Sequence, residues 1–212
     1  MERPIPQPKR SEIPEIDLPA YDAAVRRQLP HLPPGEDAHI GGYHGSLLNS
    51  PPFAEALEMF GRVVRTRGEF EGTYSHADRE FVDQVLSIDM RTNCVQGTHI
   101  PDALAVGVRM EAIEALRYGH EEDLNEDETF LAEYIRAVVG GELTEERLDR
   151  MVARLGQRGA VEYTLFITFL QMTMRNIQAM TAREPTDDEI DRMIREFKDG
   201  TRPLPDFRER IH

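Results

Sequence analysis

The stretch SHADREFVDQVLSIDMRTNCVQGTHIPDALAVG, residues 75–107, decides the fold class of this chain. It opens with Ser75, a residue type that favours the N-cap of a helix. An apolar stripe of roughly helical period follows, made of Phe81, Val82, Val85, Leu86 and Ile88. Similar patterns recur along the chain, and no stretch alternates convincingly between apolar and polar residues with period two. The sequence therefore predicts an all-α fold.

The same residue types mark helix starts and stops elsewhere. Ser50 and Pro51 open a predicted helix for which Gly68 is the expected stop. Two later helices begin with a capping-box spacing and end at glycine: Asn125–Glu128 with Gly140–Gly141, and Thr186–Glu189 with Gly200.

Residues 160–180 are apolar on almost every face of the predicted helix, which Gly156 and Gly159 separate from the helix before it. A helix of this kind forms either the centre of a bundle or part of a subunit interface. A monomer would leave part of its apolar surface in water, so we predict a homo-oligomer held partly by this helix.

The first 36 residues are rich in proline and charge, with PIPQP and LPHLPPGED among them. This composition predicts an extended N-terminal arm, residues 1–36, with a short helix around Tyr21 to Gln28. Residues 37–212 are then predicted to form one helical domain.

Composition narrows the class of protein. With 212 residues, 40% hydrophobic and 30% charged, the chain can bury a sizeable core. A net charge of −14 disfavours nucleic acid and anionic membranes as partners. The start of the chain lacks the apolar core of a signal peptide, and the most apolar run, residues 164–174, is too short to span a bilayer. We therefore predict a cytoplasmic protein that acts on a small molecule.

The sequence has no two histidines at the spacing typical of metal ligands, since neither HxH nor HxxxH occurs. The histidines outside residues 92–107 are scattered along the chain, and they include His31, His39, His44, His76 and His120. The sequence predicts no metal site and no cofactor, although a site assembled from distant parts of the chain would leave no such spacing.

A set of short motifs spans residues 75–119: Arg79–Glu80, the segment 92–95, His99–Ile100–Pro101–Asp102–Ala103, Gly107, and Glu111 to Leu116. Together they resemble the carboxymuconolactone decarboxylase and alkylhydroperoxidase D-like (AhpD-like) family. The resemblance implies an AhpD-like helical bundle that assembles as trimers, hexamers or related oligomers. A shared fold does not by itself fix the reaction.

The resemblance places the family's catalytic glutamate on Glu80 and its histidine on His99. The two thiol positions of the family fall on Thr92 and Val95, and Cys94 lies one residue out of register. A dithiol peroxidase needs one thiol to attack and a second to resolve the sulfenic acid, so that reaction is not expected here. Glu80 should lie within hydrogen-bond reach of His99, beside a cavity.

These residues favour a cofactor-free acid–base enzyme, a lyase of carboxymuconolactone decarboxylase type that acts on a small carboxylated or lactone-type metabolite. Two alternatives stay open: a peroxidase-like antioxidant protein that uses Cys94, and a non-catalytic oligomeric member of the family. His99 also fits a histidine that hydrogen-bonds a backbone carbonyl.

Three further residues are predicted substrate contacts: Tyr43 and His44 in the loop GGYHGSLL, and Cys94. Turn geometry explains that glycine-flanked loop equally well. Cys94 also fits a small, half-buried residue near a helix N-terminus.

Overall fold

The structure is a computed structural model that describes residues 5–33, 35–36, 38–71, 73–180 and 184–205. Across these ranges it contains nine α-helices and no β-strand, which confirms the all-α prediction. The helices are α1 (Leu18–Gln28), α2 (Gly42–Leu47), α3 (Pro51–Glu71), α4 (His76–Asp89), α5 (Asn93–Ala105), α6 (Met110–Tyr118), α7 (Glu126–Gly140), α8 (Glu145–Met180) and α9 (Asp187–Lys198). Short 3-10 helices lie at Arg10–Glu12, Glu15–Asp17 and Glu121–Asp123.

The predicted helix caps are present in the structure. Ser75, Asn125 and Thr186 each accept a hydrogen bond from the backbone N–H three residues on, and each completes a capping box. Gly141 ends α7 in the left-handed conformation, with φ 71°. These ends depend on the local sequence alone, which is why the sequence predicts them.

One predicted helix end is wrong and another is confirmed. The helix α3 continues past Gly68 to Glu71. A glycine inside a helix costs only about 1 kcal/mol, which is too little to end α3 at Gly68 without a second stop signal. At Gly156 the backbone leaves helical geometry, with φ 73° and ψ 169°, so the residues labelled α8 are two helical segments joined at a kink, as the sequence predicts.

The chain divides into two compact units. The first comprises Met1–Val63 and Arg175–Ala182, and the second comprises Val64–Met174 and Arg183–His212. In the first unit α1 contains the predicted helix over residues 21–28. It buries Tyr21, Ala24 and Val25 in a small apolar core. Residues 1–4 and 34 of the predicted arm lie outside the described residues.

The segment before α1 is tied to α2 of the same unit by polar contacts. The side-chain oxygen of Gln7 accepts hydrogen bonds from the backbone N–H groups of Ile40 and Gly41, at 2.9 and 3.2 Å. The hydroxyl of Ser46 donates to the carbonyl of Ile5 at 2.7 Å. This part of the arm therefore packs on its own unit.

The second unit is built around α4, which packs against α5, α6 and α7. Residues 80–87 of α4 are all buried, so this helix has no solvent face along that stretch. Four of the buried side chains are nevertheless polar or charged: Glu80, Asp83, Gln84 and Ser87. Buried polar and charged side chains need hydrogen-bond or ion-pair partners. Their presence on α4 makes this helix a candidate location for a functional site.

Part of α8 also belongs to the second unit. Its inward side chains include Tyr163, Phe166, Ile167, Leu170 and Met174. Four large apolar side chains of the same segment are exposed: Leu148, Val161, Leu165 and Met172. The predicted homo-oligomer stays a prediction. Across the described residues, no helix combines the length and hydropathy that a membrane crossing requires.

Candidate functional site

Two packed helices of the second unit bring three titratable side chains together. Glu80 and Asp83 are three residues apart on α4, which places them on one helix face, and His99 reaches them from α5. His99 Nδ1 lies 2.9 Å from Glu80 Oε2, and His99 Nε2 lies 3.6 Å from Asp83 Oδ1. The predicted contact between Glu80 and His99 is therefore confirmed, while their catalytic role stays a prediction.

The three side chains differ in their access to solvent. The Glu80 side chain is 1% exposed and that of Asp83 is 0% exposed, whereas His99 keeps 19% of its side-chain surface exposed. Of the three side chains, His99 is therefore the one with contact to solvent, and the two carboxylates are buried.

Glu80 has a full set of partners. His76 Nε2 lies 3.2 Å and Arg79 Nη2 lies 3.1 Å from Glu80 Oε1, while His99 contacts the other oxygen. Burial alone would raise the pKa of Glu80, but the hydrogen bonds from His76 and His99 and the nearby positive charges hold that pKa well below its usual range. Glu80 is therefore a carboxylate at neutral pH.

Asp83 lacks the hydrogen bonds that Glu80 has. Both of its carboxyl oxygens are buried, and neither has a hydrogen-bond partner among the described residues. Its nearest cationic atoms are His99 Nε2 and Arg65 Nη1, the latter 3.7 Å from Oδ2. Burial raises the pKa of Asp83, and the charges of His99 and Arg65 only partly offset that effect. Such an arrangement costs free energy in the folded protein.

His99 is positioned by the ionised Glu80. Because a carboxylate only accepts hydrogen bonds, Nδ1 of His99 carries a proton and donates it to Glu80, and Nε2 is left as the second exchange position. Burial alone would lower the pKa of His99, but the charge of Asp83 and the hydrogen bond and charge of Glu80 raise it overall. The site therefore favours the imidazolium form.

The same three residues could hold a metal ion. One donor atom from each of Glu80, Asp83 and His99 lies within 4.8 Å of the other two. The prediction of no metal site depended on histidine spacing, and Asp83 was not among the predicted site residues. The signal that points to Asp83 is its position one helical turn after Glu80, on the same helix face.

The family's thiol positions are both buried in this chain. Thr92 is the N-cap residue of α5 and Val95 lies in its first turn. Neither can supply redox chemistry, because neither has a thiol.

Cys94 lies on a different part of α5. Its backbone N–H donates to Glu184 Oε2 at 2.6 Å, and its thiol donates to Glu184 Oε1 at 3.4 Å. Burial, and then the negative charge of Glu184, raise the pKa of Cys94 to about 12. Cys94 lines a cavity of about 840 Å³ together with residues of α5 and α9, among them Gly97 and Met193.

The sequence predicts a cavity beside the Glu80–His99 pair. Neither Glu80 nor His99 lines the 840 Å³ cavity or the second cavity of about 540 Å³. The pair meets solvent through the exposed part of His99 instead.

Tyr43 and His44 belong to α2 in the first unit. Tyr43 is half-buried, and His44 is exposed, with Nδ1 3.3 Å from Gln28 Nε2. Their assignment as substrate contacts stays a prediction, as does that of Cys94.

Comparisons with known proteins add no relative to this picture. No protein-family model matches the chain, and neither the curated proteins nor the solved structures contain a match. The resemblance carried by residues 75–119 therefore depends on its motif residues and stays a prediction.

Proposed function

We propose that the chain is a cofactor-free acid–base enzyme, a lyase of carboxymuconolactone decarboxylase type that acts on a small carboxylated or lactone-type metabolite. One observation carries the proposal: Glu80 Oε2 lies 2.9 Å from His99 Nδ1, and the His99 ring stays partly exposed. A histidine whose ring is oriented by a buried carboxylate and whose side chain is partly exposed is suited to proton transfer.

The proton balance of such a reaction fits this pair. Loss of CO2 from a carboxylate leaves the bonding electron pair on carbon. The carbanion then takes a proton from the His99 imidazolium, which becomes neutral and recovers a proton from solvent. Glu80 stays ionised throughout, because its role is to orient the ring and stabilise the imidazolium.

The charges around His99 support an anionic substrate. Arg79 contacts Glu80, and Arg65 lies beside Asp83 with 28% of its side chain exposed. These guanidinium groups offset the charges of Glu80 and Asp83, so a small carboxylate that approaches His99 meets less repulsion than the net charge of −14 would give.

The peroxidase alternative lacks support from the site. With a pKa of about 12, Cys94 is ionised to only about one part in 10⁵ at pH 7. The thiolate is the nucleophile in peroxide reduction, and the chain has no second cysteine to resolve a sulfenic acid.

A substrate screen tests the proposal. Purified protein is incubated with a panel of carboxylated lactones and β-keto acids, and CO2 release is measured. We expect His99→Ala to lower turnover by about 10²- to 10⁴-fold, the usual range for a general acid or base. The matched control is His120→Ala, since His120 lies in the same unit and its side chain is exposed. CO2 release that is equal in the parent and His99→Ala, or no release with any panel member, contradicts the proposal and favours the non-catalytic alternative.

A further inference from the structure

We propose that His99 Nε2 and the carboxylate of Asp83 bind one divalent transition-metal ion, while Glu80 orients the His99 ring through Nδ1. The first observation is a distance. His99 Nε2 and Asp83 Oδ1 are 3.6 Å apart, which is too long for a hydrogen bond. Two atoms that each lie about 2.0–2.2 Å from a common ion are roughly 3.0–3.6 Å apart. The separation fits two ligands of one ion better than a donor and its acceptor.

The second observation is the unpartnered carboxylate. Asp83 is 0% exposed, and among the described residues neither of its oxygens has a hydrogen-bond partner. Asp78, on the same helix, is also buried, but Arg154 Nη2 donates to it at 2.7 Å and the backbone N–H of Ser75 donates at 2.9 Å. Buried carboxylates are normally held as Asp78 is. A cation would supply the partner that Asp83 lacks.

The donor set indicates the class of ion. An imidazole nitrogen with the two carboxylate oxygens of Asp83 suits Zn²⁺, Mn²⁺ or Fe²⁺, whereas Ca²⁺ and Mg²⁺ prefer oxygen ligands alone. Asp83 comes from α4 and His99 from the packed helix α5, and Glu80 accepts the hydrogen bond of His99 Nδ1. Two protein residues leave coordination positions open for water or a small molecule.

Two guanidinium groups oppose a bound cation. Arg79 contacts Glu80 at 3.1 Å, and Arg65 lies 3.7 Å from Asp83. Without an ion these two groups offset the charges of the two carboxylates. The Arg65 side chain is 28% exposed, so it can turn toward solvent when an ion binds. Removal of its charge should therefore strengthen ion binding.

The inference goes beyond the proposed function and does not depend on it. An ion on His99 Nε2 occupies the lone pair that the proposed proton transfer uses, so a bound ion and that reaction exclude each other. Metal binding is measured without any substrate. Failure of one proposal is therefore distinguishable from failure of the other.

The experiment uses the full chain after chelator treatment and dialysis. Co²⁺ and Zn²⁺ are titrated separately and followed by calorimetry, and the Co²⁺ titration is also followed through its visible absorption bands. We expect one ion per chain. Asp83→Asn and His99→Ala should each weaken binding by at least about 100-fold, since loss of a residue that merely orients a ligand already costs 10- to 100-fold. Arg65→Gln should bind more tightly than the parent.

The matched control is Asp89→Asn, because Asp89 lies on the same helix but pairs with Arg136 outside the cluster. Its affinity should equal that of the parent. The proposal is overturned if neither ion binds at millimolar concentration, or if both Asp83→Asn and His99→Ala bind as the parent does. Circular dichroism checks that each variant is folded. If Asp83→Asn fails to fold, the other two variants still test the proposal, because His99→Ala should weaken ion binding and Arg65→Gln should strengthen it.

Discussion

Cys94 and His99 lie on the same helix, α5, and each faces acidic side chains, yet their surroundings differ in one respect. Cys94 meets a single carboxylate, Glu184, which accepts hydrogen bonds from both its N–H and its thiol. His99 meets two carboxylates, of which Glu80 is hydrogen-bonded and Asp83 is not. The first arrangement has its hydrogen bonds without a ligand, whereas the second leaves the buried Asp83 with ion-pair contacts but no hydrogen bond among the described residues.

The comparison also shows that one electrostatic effect has opposite chemical consequences. At Cys94 burial, and after it the negative charge of Glu184, raises the pKa, whereas at His99 the neighbouring carboxylates raise the pKa against the effect of burial. A protonated thiol is a poor nucleophile, so burial and Glu184 together suppress the reactivity of Cys94. A protonated imidazole is a general acid, so the same effect prepares His99 to donate a proton.

The largest expected difference between the two places is in turnover. Once a substrate is found, Cys94→Ser should keep activity within a few-fold of the parent. Glu80→Gln should lower turnover, but by less than His99→Ala, because Glu80 orients the ring and does not exchange the proton itself. Steady-state kinetics of the three variants measures this order. If Cys94→Ser lost activity and His99→Ala kept it, Cys94 and not His99 would be the residue that the reaction requires.

A second prediction concerns the thiol alone. Since the pKa of Cys94 is about 12, its alkylation by iodoacetamide should be slow at pH 7 and rise about tenfold per pH unit up to at least pH 10. Glu184→Gln removes the adjacent negative charge, lowers the pKa and should speed alkylation on the order of tenfold at neutral pH. Mass spectrometry of timed samples measures both rates. A parent rate that levels off below pH 9 would show that the thiol is far more acidic than its contacts imply.

Much of the fold can be predicted from the sequence because its signals are local. The caps at Ser75, Asn125 and Thr186 depend on residues within one turn, and all three are found where the sequence places them. The stop expected at Gly68 fails because helix continuation there depends on more than one residue. A single glycine is a weak signal in either direction.

The candidate site can be predicted only in part. The Glu80–His99 contact follows from the family resemblance, which supplies the pairing of residues on consecutive helices. The family resemblance does not extend to Asp83, whose only signal is its position one helical turn after Glu80, within the apolar stripe that runs from Phe81 to Leu86. Its burial comes from helices that surround α4, and tertiary packing of that kind is not visible in the period of one helix.

We infer that Asp83 lacks hydrogen bonds because it faces a binding site for a ligand. The most direct test is the stability of Asp83→Asn against that of Asp78→Asn, measured by urea unfolding at neutral pH without metal. Asp83→Asn removes a buried charge that lacks hydrogen bonds, so its free energy of unfolding should rise, by about 1 kcal/mol or more. Asp78→Asn breaks a buried pair with Arg154 and should lower that free energy by about 1–3 kcal/mol. Equal destabilisation by both changes would contradict the claim, because Asp83 would then hold the fold together as Asp78 does.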